Sequence, residues 1–275
     1  MTPVSFEFFP PNTPVGTEKL KTVVQELSVL FPHYFSVTYG AGGSTRDKTL
    51  ATVMDIAASG YEAAPHLSCV GSTRENIAEI LATYRAQNIC RVVALRGDLP
   101  SGTATAGEFR YAAELVSFIR ETQGPDWQIE VAAYPEYHPQ QRYAAQDLQH
   151  FADKMGAGAS GAITQFFFNP DAYFHFVDSA RALGVTAPIT PGIMPFHNYA
   201  RIAQFAARDG IDIPRWVALK MEGYMDDVAS IRAFGLDVMT SVCERLIEGG
   251  VPGIHFYTLN QSALTLALCK RLKLG

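Results

Sequence analysis

Eight short β-rich runs alternate with longer amphipathic runs along nearly the whole of this 275-residue chain. The β-rich runs are Val4–Phe9, Tyr34–Tyr39, Ala63–Ser68, Arg91–Leu95, Gln128–Tyr134, Ala162–Phe168, Ile189–Ile193 and Ile254–Thr258. Between them, stretches such as Leu20–Leu30, Asn76–Gln87, Phe109–Thr122 and Tyr173–Leu183 carry apolar residues at helical spacing. Strand, helix, strand in succession implies parallel pairing through right-handed crossovers. Eight such units in roughly 250 residues match a (β/α)₈ barrel of the TIM type. The rival, a doubly wound open sheet, generally has fewer strands and a glycine-rich first turn. One stretch breaks the rhythm. Trp216–Lys220 has the composition of a short strand but reads as a connection, and Asp226–Glu248 reads as about two extra helices before the last strand. No internal repeat or Ser/Pro/Gly-rich linker divides the chain, so residues 1–275 are expected to form one α/β barrel domain.

Charge excludes several function classes. With a net charge of -5, the chain sets up no field that draws nucleic acid or an anionic membrane. No basic stretch followed by an apolar core opens the sequence, and no apolar run is long enough to cross a bilayer. Cys69, Cys90, Cys243 and Cys269 are far apart, form no C-x-x-C pair, and read as small hydrophobes in a reducing cytosol. A cytoplasmic protein is the expectation. The seven histidines show no H-x-x-x-H or H-E-x-x-H spacing, so no metal site is expected. A G-x-S-x-G nucleophile elbow is also missing.

In a barrel of this kind, reactive groups gather at the C-terminal ends of the strands. The first strand carries one carboxylate inside the aromatic run Ser5-Phe6-Glu7-Phe8-Phe9-Pro10-Pro11. Alternation points Ser5 and Glu7 one way and Phe6 and Phe8 the other. Desolvation there would raise the carboxyl pKa toward the range of a proton donor; an ion pair or a solvated edge accounts for the residue equally well. Other strands end in Thr38 and Tyr39, His66, Arg96 and Asp98, Tyr134 with Glu136 and His138, Gln165, Met194, and Tyr257 with Asn260. That many polar side chains on one rim fit a large ligand pocket.

Individual motifs are less specific. Tyr39-Gly40-Ala41-Gly42-Gly43-Ser44-Thr45 is either an anion-binding turn or a simple flexible one. Arg96-Gly97-Asp98 either pairs with itself or clamps a phosphate, with Gly97 allowing close approach. Asp147, His150 and Lys154 share one face of the helix after strand five, which is commonly just solvated. Gln165 offers both a donor and an acceptor, suited to a heterocycle or carboxamide.

Together these segments resemble one family, the bacterial-type methylenetetrahydrofolate reductases. The matching pieces are Phe6–Pro11, Ser36–Ala41, Pro65–Cys69, Ala94–Pro100, Ala132–Glu136 with His138-Pro139, Ile163–Phe168, Pro191–Pro195 and His255–Asn260. They occur in family order and span nearly the whole chain. The resemblance implies a barrel that holds FAD non-covalently. NAD(P)H reduces the flavin and leaves, and 5,10-methylenetetrahydrofolate then binds in the same place and becomes 5-methyltetrahydrofolate, a step of one-carbon metabolism that serves methionine synthesis. The family's catalytic glutamate falls on Glu7, which would protonate N10 and open the ring to a 5-iminium cation. Its flavin-side aspartate falls on Asp98, near both pterin and flavin, where a negative charge favours that cation.

The resemblance also implies flavin contacts from Thr38, His66, Arg96, Gly97, Asp98, Tyr134, His138, Asp147, His150 and Lys154. Folate contacts fall on Glu7, Thr38, Asp98, Gln165, Arg201, Phe205 and Gln261, with Gln165 also meeting the nicotinamide. Four positions depart from the family pattern. His150 and Asp153 stand where Asn and Arg are expected, and an Asp near a pyrophosphate adds repulsion. Arg201 stands for a folate-contacting Gln, and Gln261 for an Arg at the folate tail. A homo-oligomer built through exposed barrel helices is expected, with no separate regulatory domain. Competing expectations are a folate-dependent methyl or demethylating transferase on the same barrel, a flavin-free NAD(P)H-linked reductase, or a flavin- or folate-binding subunit without activity of its own.

Overall fold

The computed structural model describes residues 2–40, 45–97, 107–139, 141–196, 198–225 and 227–275. Eight parallel strands close into a barrel in sequence order: β1 (Val4–Phe8), β2 (Phe35–Val37), β3 (Ala63–Ser68), β4 (Arg91–Leu95), β5 (Gln128–Ala133), β6 (Gly161–Phe166), β7 (Ile189–Ile193) and β8 (Ile254–Tyr257). The helices between and after them are α1 (Pro14–Ser28), α2 (Arg46–Ala58), α3 (Arg74–Ala86), α4 (Ala112–Gln123), α5 (Ala144–Gly156), α6 (Pro170–Ala182), α7 (Tyr199–Asp209), α8 (Arg215–Tyr224), α9 (Val228–Glu248) and α10 (Ala263–Leu272). The expected (β/α)₈ barrel is therefore the fold, with extra helix before the last strand.

Side-chain alternation sorts the wall into two faces. Outward, Phe6 and Phe8 pack on Phe35 with ring centroids 5.8 and 5.5 Å apart, within a continuous apolar layer between strands and helices. Inward, the apolar contribution is small: Tyr34, Ala64, Val93 and Ile163 form a separate buried cluster. Polar groups take much of the remaining interior. At the foot, Arg91 opens β4 and is bonded by Nε to Glu62 Oε1 (2.6 Å) and by Nη1 to Glu130 Oε1 (2.9 Å). Its guanidinium carbon lies 4.6 Å from the centre of the Tyr34 ring.

Local sequence starts the helices cleanly. Thr13, Thr73, Asn169, Asn198 and Asp227 each accept a hydrogen bond from a first-turn backbone N–H of the helix that follows. Such caps contribute about 1 kcal/mol each. Pro14 and Pro170 occupy first helical positions, where a missing N–H costs nothing. The cap and proline begin α1 at Pro14, six residues before the apolar periodicity begins.

Two expectations about the insertion are corrected. Trp216–Lys220 is not a connection but part of α8, which buries Val217 and Met221 one turn apart. The stretch expected as two helices is one 21-residue helix, α9. Gly235 does not break it: a Cβ there would lie 3.0 Å from the Phe196 ring, so glycine lets β7's following segment pack against the helix. Strand ends also shift by a few residues, with Phe167 and Phe168 lying beyond β6. Cys69, Cys243 and Cys269 are buried and Cys90 partly so, all as free thiols. No helix among the described residues is long and apolar enough to cross a membrane.

Candidate active site

Glu7 is the fourth residue of β1 and points into the barrel near its C-terminal end. Parallel register places Ser36 of β2 and Tyr257 of β8 beside it, and Ser5 opposite His255. Its Oε2 lies 3.3 Å from His66 Nε2 and 3.7 Å from His255 Nε2. These are electrostatic contacts rather than well-formed hydrogen bonds, and neither Nε2 has another partner among the described residues. Burial pushes the carboxyl pKa up, but the two imidazoles outweigh it, His66 most strongly, and bring it down to about 2. Of the readings that the sequence leaves open, the raised pKa that desolvation alone would give does not hold: His255 of the adjacent β8 and His66 of β3, two strands away, hold Glu7 toward its ionised form. Burial in turn pushes the His255 pKa down against the pull of Glu7.

The backbone around Glu7 is tied across the closure of the barrel. Thr258 Oγ1 donates to Glu7 O (2.7 Å), and the Asn260 side chain bonds both Phe9 N (3.0 Å) and Phe9 O (2.8 Å). Tyr257, expected only as a rim residue, donates from Oη to Thr164 O (2.6 Å) and is fixed between β8 and β6.

A second feature lies at the same end, over β4 and β5. A cavity of about 590 Å³ is walled by the strand-end residues Arg96, Gly97, Tyr134 and His138, and by Asp147, His150, Asp153 and Lys154 of α5. Seven of the expected cofactor contacts are brought together here; Thr38 and His66 are not among its walls. Lys154 crosses beneath the cavity to donate to Ala132 O, and burial brings its pKa down to about 8 despite Asp147. Asp147 accepts from His138 N (2.8 Å), and Asp153 from Gln149 (3.0 Å). His150 Nδ1 pairs with the Gln141 amide (3.1 Å). Both acidic groups are therefore already engaged by the protein, whereas Lys154 makes no ion pair among the described residues. Gly97 has φ +81°, and a Cβ would lie 2.8 Å from Ser68 Cβ. The fold itself demands this glycine, apart from any ligand.

The remaining candidates lie elsewhere on the rim. Thr38 donates its backbone N–H to Phe8 O (2.8 Å). Gln165 donates to Asp209 Oδ2 (3.3 Å) at the end of α7. Phe205 on α7 lies between the guanidinium groups of Arg201 and Arg208, 5.5 and 5.3 Å from its ring centre. Gln261 is exposed in the turn after β8. Asp98 and the turn 41–44 lie outside the described residues. Sequence reasoning missed Tyr111 and Ala112, which wall the cavity from the start of α4. It also left out His255, which alternation with Tyr257 in β8 would have placed inside. Among the described residues, no group of three or more His, Cys, Asp or Glu is arranged to hold a metal ion.

Comparison with known proteins follows the same lines. The family model for methylenetetrahydrofolate reductase matches residues 1–273. The chain is 40% identical over 270 residues to the 5,10-methylenetetrahydrofolate reductase of Pectobacterium carotovorum, covering 98% of this chain and 89% of that protein. It is 39% identical to the Escherichia coli enzyme of the same name, covering 98% and 90%. A rice protein named probable methylenetetrahydrofolate reductase (NADH) is 34% identical, with 99% of this chain matching 48% of that one. Among solved structures, an uncharacterized Clostridium thermocellum protein described as binding two copies of 5-methyl-5,6,7,8-tetrahydrofolic acid superposes with a TM-score of 0.67. At 16% identity over 99% of this chain and 95% of that one, this likeness concerns the fold. The chain belongs to the methylenetetrahydrofolate reductase family, whose reaction is the reduction of methylenetetrahydrofolate.

Proposed function

We propose that this family member reduces 5,10-methylenetetrahydrofolate to 5-methyltetrahydrofolate with NAD(P)H, in ping-pong order through non-covalently held FAD. The observation that carries this reading is the presence, at one end of the barrel, of both a partly buried carboxylate and a cavity walled by cationic and aromatic side chains.

The cavity residues fit the flavin. Lys154 and Arg96 supply positive charge for the diphosphate, and Tyr111, Tyr134 and His138 supply flat surfaces and donors for the rings. The two carboxylates that would repel phosphate are each drawn into a protein hydrogen bond. His150 is the ring on the α5 face that takes the family's Asn position. FAD held by these residues would supply the hydride chemistry that links NAD(P)H to the folate. The rice relative's name favours NADH as the donor.

Glu7 is assigned the proton transfer to N10. Desolvation is already the largest single influence on this carboxyl. A bound ring system that dries the mouth strengthens it, moving Glu7 from anion toward acid. Gln165 is assigned an amide contact to either substrate in exchange for Asp209, and Phe205 a packing contact with the same ring. Arg201 and Gln261 are assigned to the folate tail. Asp98 is assigned the anion that favours the iminium cation.

The test is spectroscopic. Purified protein should carry a yellow chromophore, bleach with NADH in the absence of oxygen, and recover its colour with methylenetetrahydrofolate while 5-methyltetrahydrofolate accumulates. Folate reduction by carefully prepared, colourless protein would remove the flavin from this account.

A further inference from the structure

Behind Glu7 lies a group that this assignment leaves without a role. We propose that His255 is the positioning residue for Glu7: the Ser5 hydroxyl fixes its imidazole through Nδ1, so that Nε2–H faces Glu7 Oε2 and holds the carboxylate left after proton transfer. This rests on the reading of Glu7 as the acid.

Strand register builds the arrangement. Ser5 and His255 are direct neighbours across the β1–β8 seam, and Glu7 sits two residues above Ser5 on the same face. Ser5 Oγ lies 2.7 Å from His255 Nδ1. The imidazole is wholly buried. Tyr34 stacks on it at 6.0 Å and 28°, and Tyr257 meets it edge-on at 5.4 Å and 84°. It has little room to turn. One ring nitrogen is taken by Ser5, and the other lacks a hydrogen bond and is 3.7 Å from Glu7.

The surrounding groups determine what such a ring can do. From β3 comes His66, from the segment before β2 the Tyr34 phenol, and from β8 the Tyr257 phenol. Arg91 and Glu130 lie below, beyond Tyr34. Burial raises both phenol pKa values and lowers that of His255, so His255 faces Glu7 as a neutral ring. A neutral ring offers an N–H dipole to the carboxylate. The tautomer then decides the sign of the interaction: Nε2–H supports an anion, whereas a bare Nε2 opposes it. The supporting form is the one in which the Ser5 hydroxyl donates to Nδ1. In the step itself, the proton passes from a Glu7 oxygen to N10. The bond between N10 and the bridging carbon breaks with its electron pair staying on nitrogen, and Glu7 is left as the anion that Nε2–H faces.

Two measurements on the full chain test the assignment without turnover. In protein labelled with ¹⁵N at histidine, His255 should show a protonated Nε2 and a bare Nδ1, and Ser5→Ala should mix the tautomers. In protein labelled at the glutamate carboxyl carbon, His255→Leu should raise the Glu7 titration by about one pH unit or more. His255→Gln, which restores an N–H near the same place, should give back most of that shift. During turnover the falling high-pH limb of folate reduction should move upward with the carboxyl titration. A His255 protonated on Nδ1 alone, or a Glu7 titration that both the Leu and Gln variants leave in place, overturns the proposal. Should Leu prevent folding, the Ser5→Ala and Gln arms still decide it. If the NMR shifts appear but folate is not reduced, the functional reading fails while the His255 arrangement stands.

Discussion

Two clusters of charge lie inside the same eight-stranded wall, and their hydrogen bonding differs. At the foot, Arg91 is bonded at 2.6 and 2.9 Å to two carboxylates and covered by an aromatic ring. Near the mouth, Glu7 meets two imidazoles at 3.3 and 3.7 Å, and neither facing nitrogen completes a hydrogen bond. The lower cluster is satisfied by the protein alone. The upper one keeps bonding capacity in reserve, as a group does whose partner arrives from outside. Location in the barrel explains the division: the mouth faces variable strand-end loops, while the foot has only the structure to serve.

The largest expected effect would test the upper cluster. Glu7→Gln keeps the shape of the side chain and removes its proton. Folate reduction should fall about 10²–10⁴-fold, the range of a lost general acid, while flavin bleaching by NADH continues. Equal loss of both half-reactions in stopped-flow traces would show that Glu7 holds the site together and donates no proton. The charge also leaves a stability signature. A carboxyl held down to about 2 in the folded chain contributes stability above its unfolded pKa near 4.5, and that contribution is lost as pH falls from there toward 2. Acid titration of the Gln variant should lack this part of the slope.

The lower cluster should respond the opposite way. Arg91→Met leaves Glu130, a largely buried carboxylate, without its cation. Breaking such a pair from one side costs about 3–5 kcal/mol. Chemical denaturation should show this loss, with much smaller changes in the rates of protein that stays folded. If Arg91→Met instead abolished folate reduction in well-folded protein, the division between foot and mouth would be wrong.

Lys154 extends the contrast to the cavity over β4 and β5, as a partly buried cation that donates to a backbone carbonyl but makes no ion pair among the described residues. Its folded pKa, down to about 8, lies below the unfolded value, so the charged form is a burden at neutral pH that is relieved as pH rises above 8. The side chain keeps some contact with solvent, which reduces the effect. Lys154→Met should stabilise ligand-free protein by about 1–2 kcal/mol and weaken FAD retention on gel filtration. A variant that lost stability yet bound flavin normally would assign Lys154 to the foot's kind of chemistry.

How much of this the chain announces depends on how local the cause is. The eight strands are legible because alternation and helical spacing repeat within short windows. The inward direction of Glu7 is legible for the same reason. Its partners are not, because Ser5 meets His255 across 250 positions, and barrel closure decides that register. Trp216–Lys220 misleads as its β-forming composition in five residues says nothing of Val217 and Met221 packing one helical turn apart. The cavity was legible from the resemblance for β4, β5 and α5. Tyr111 was missed because, within the helical periodicity of Phe109–Thr122, it reads as one more helix residue, although it faces the cavity at the start of α4.

The smallest expected effect is also the one that separates pairing from stability. Glu130 is bonded to Arg91, yet burial dominates and leaves its pKa above the ordinary carboxylate value. An acid raised in the folded state binds protons there that the unfolded chain has released, so its contribution to stability falls as pH rises through that interval. The ion pair thus offsets a desolvation cost without exceeding it. Glu130→Gln retains an oxygen for the Arg91 guanidinium and removes that cost, while Glu62 keeps Arg91 partnered. Stability at neutral pH should change by less than about 1 kcal/mol, and the downward slope above pH 4.5 should flatten. A loss as large as that of Arg91→Met would mean that the charge on Glu130, and not its hydrogen bond, holds the foot of the barrel together.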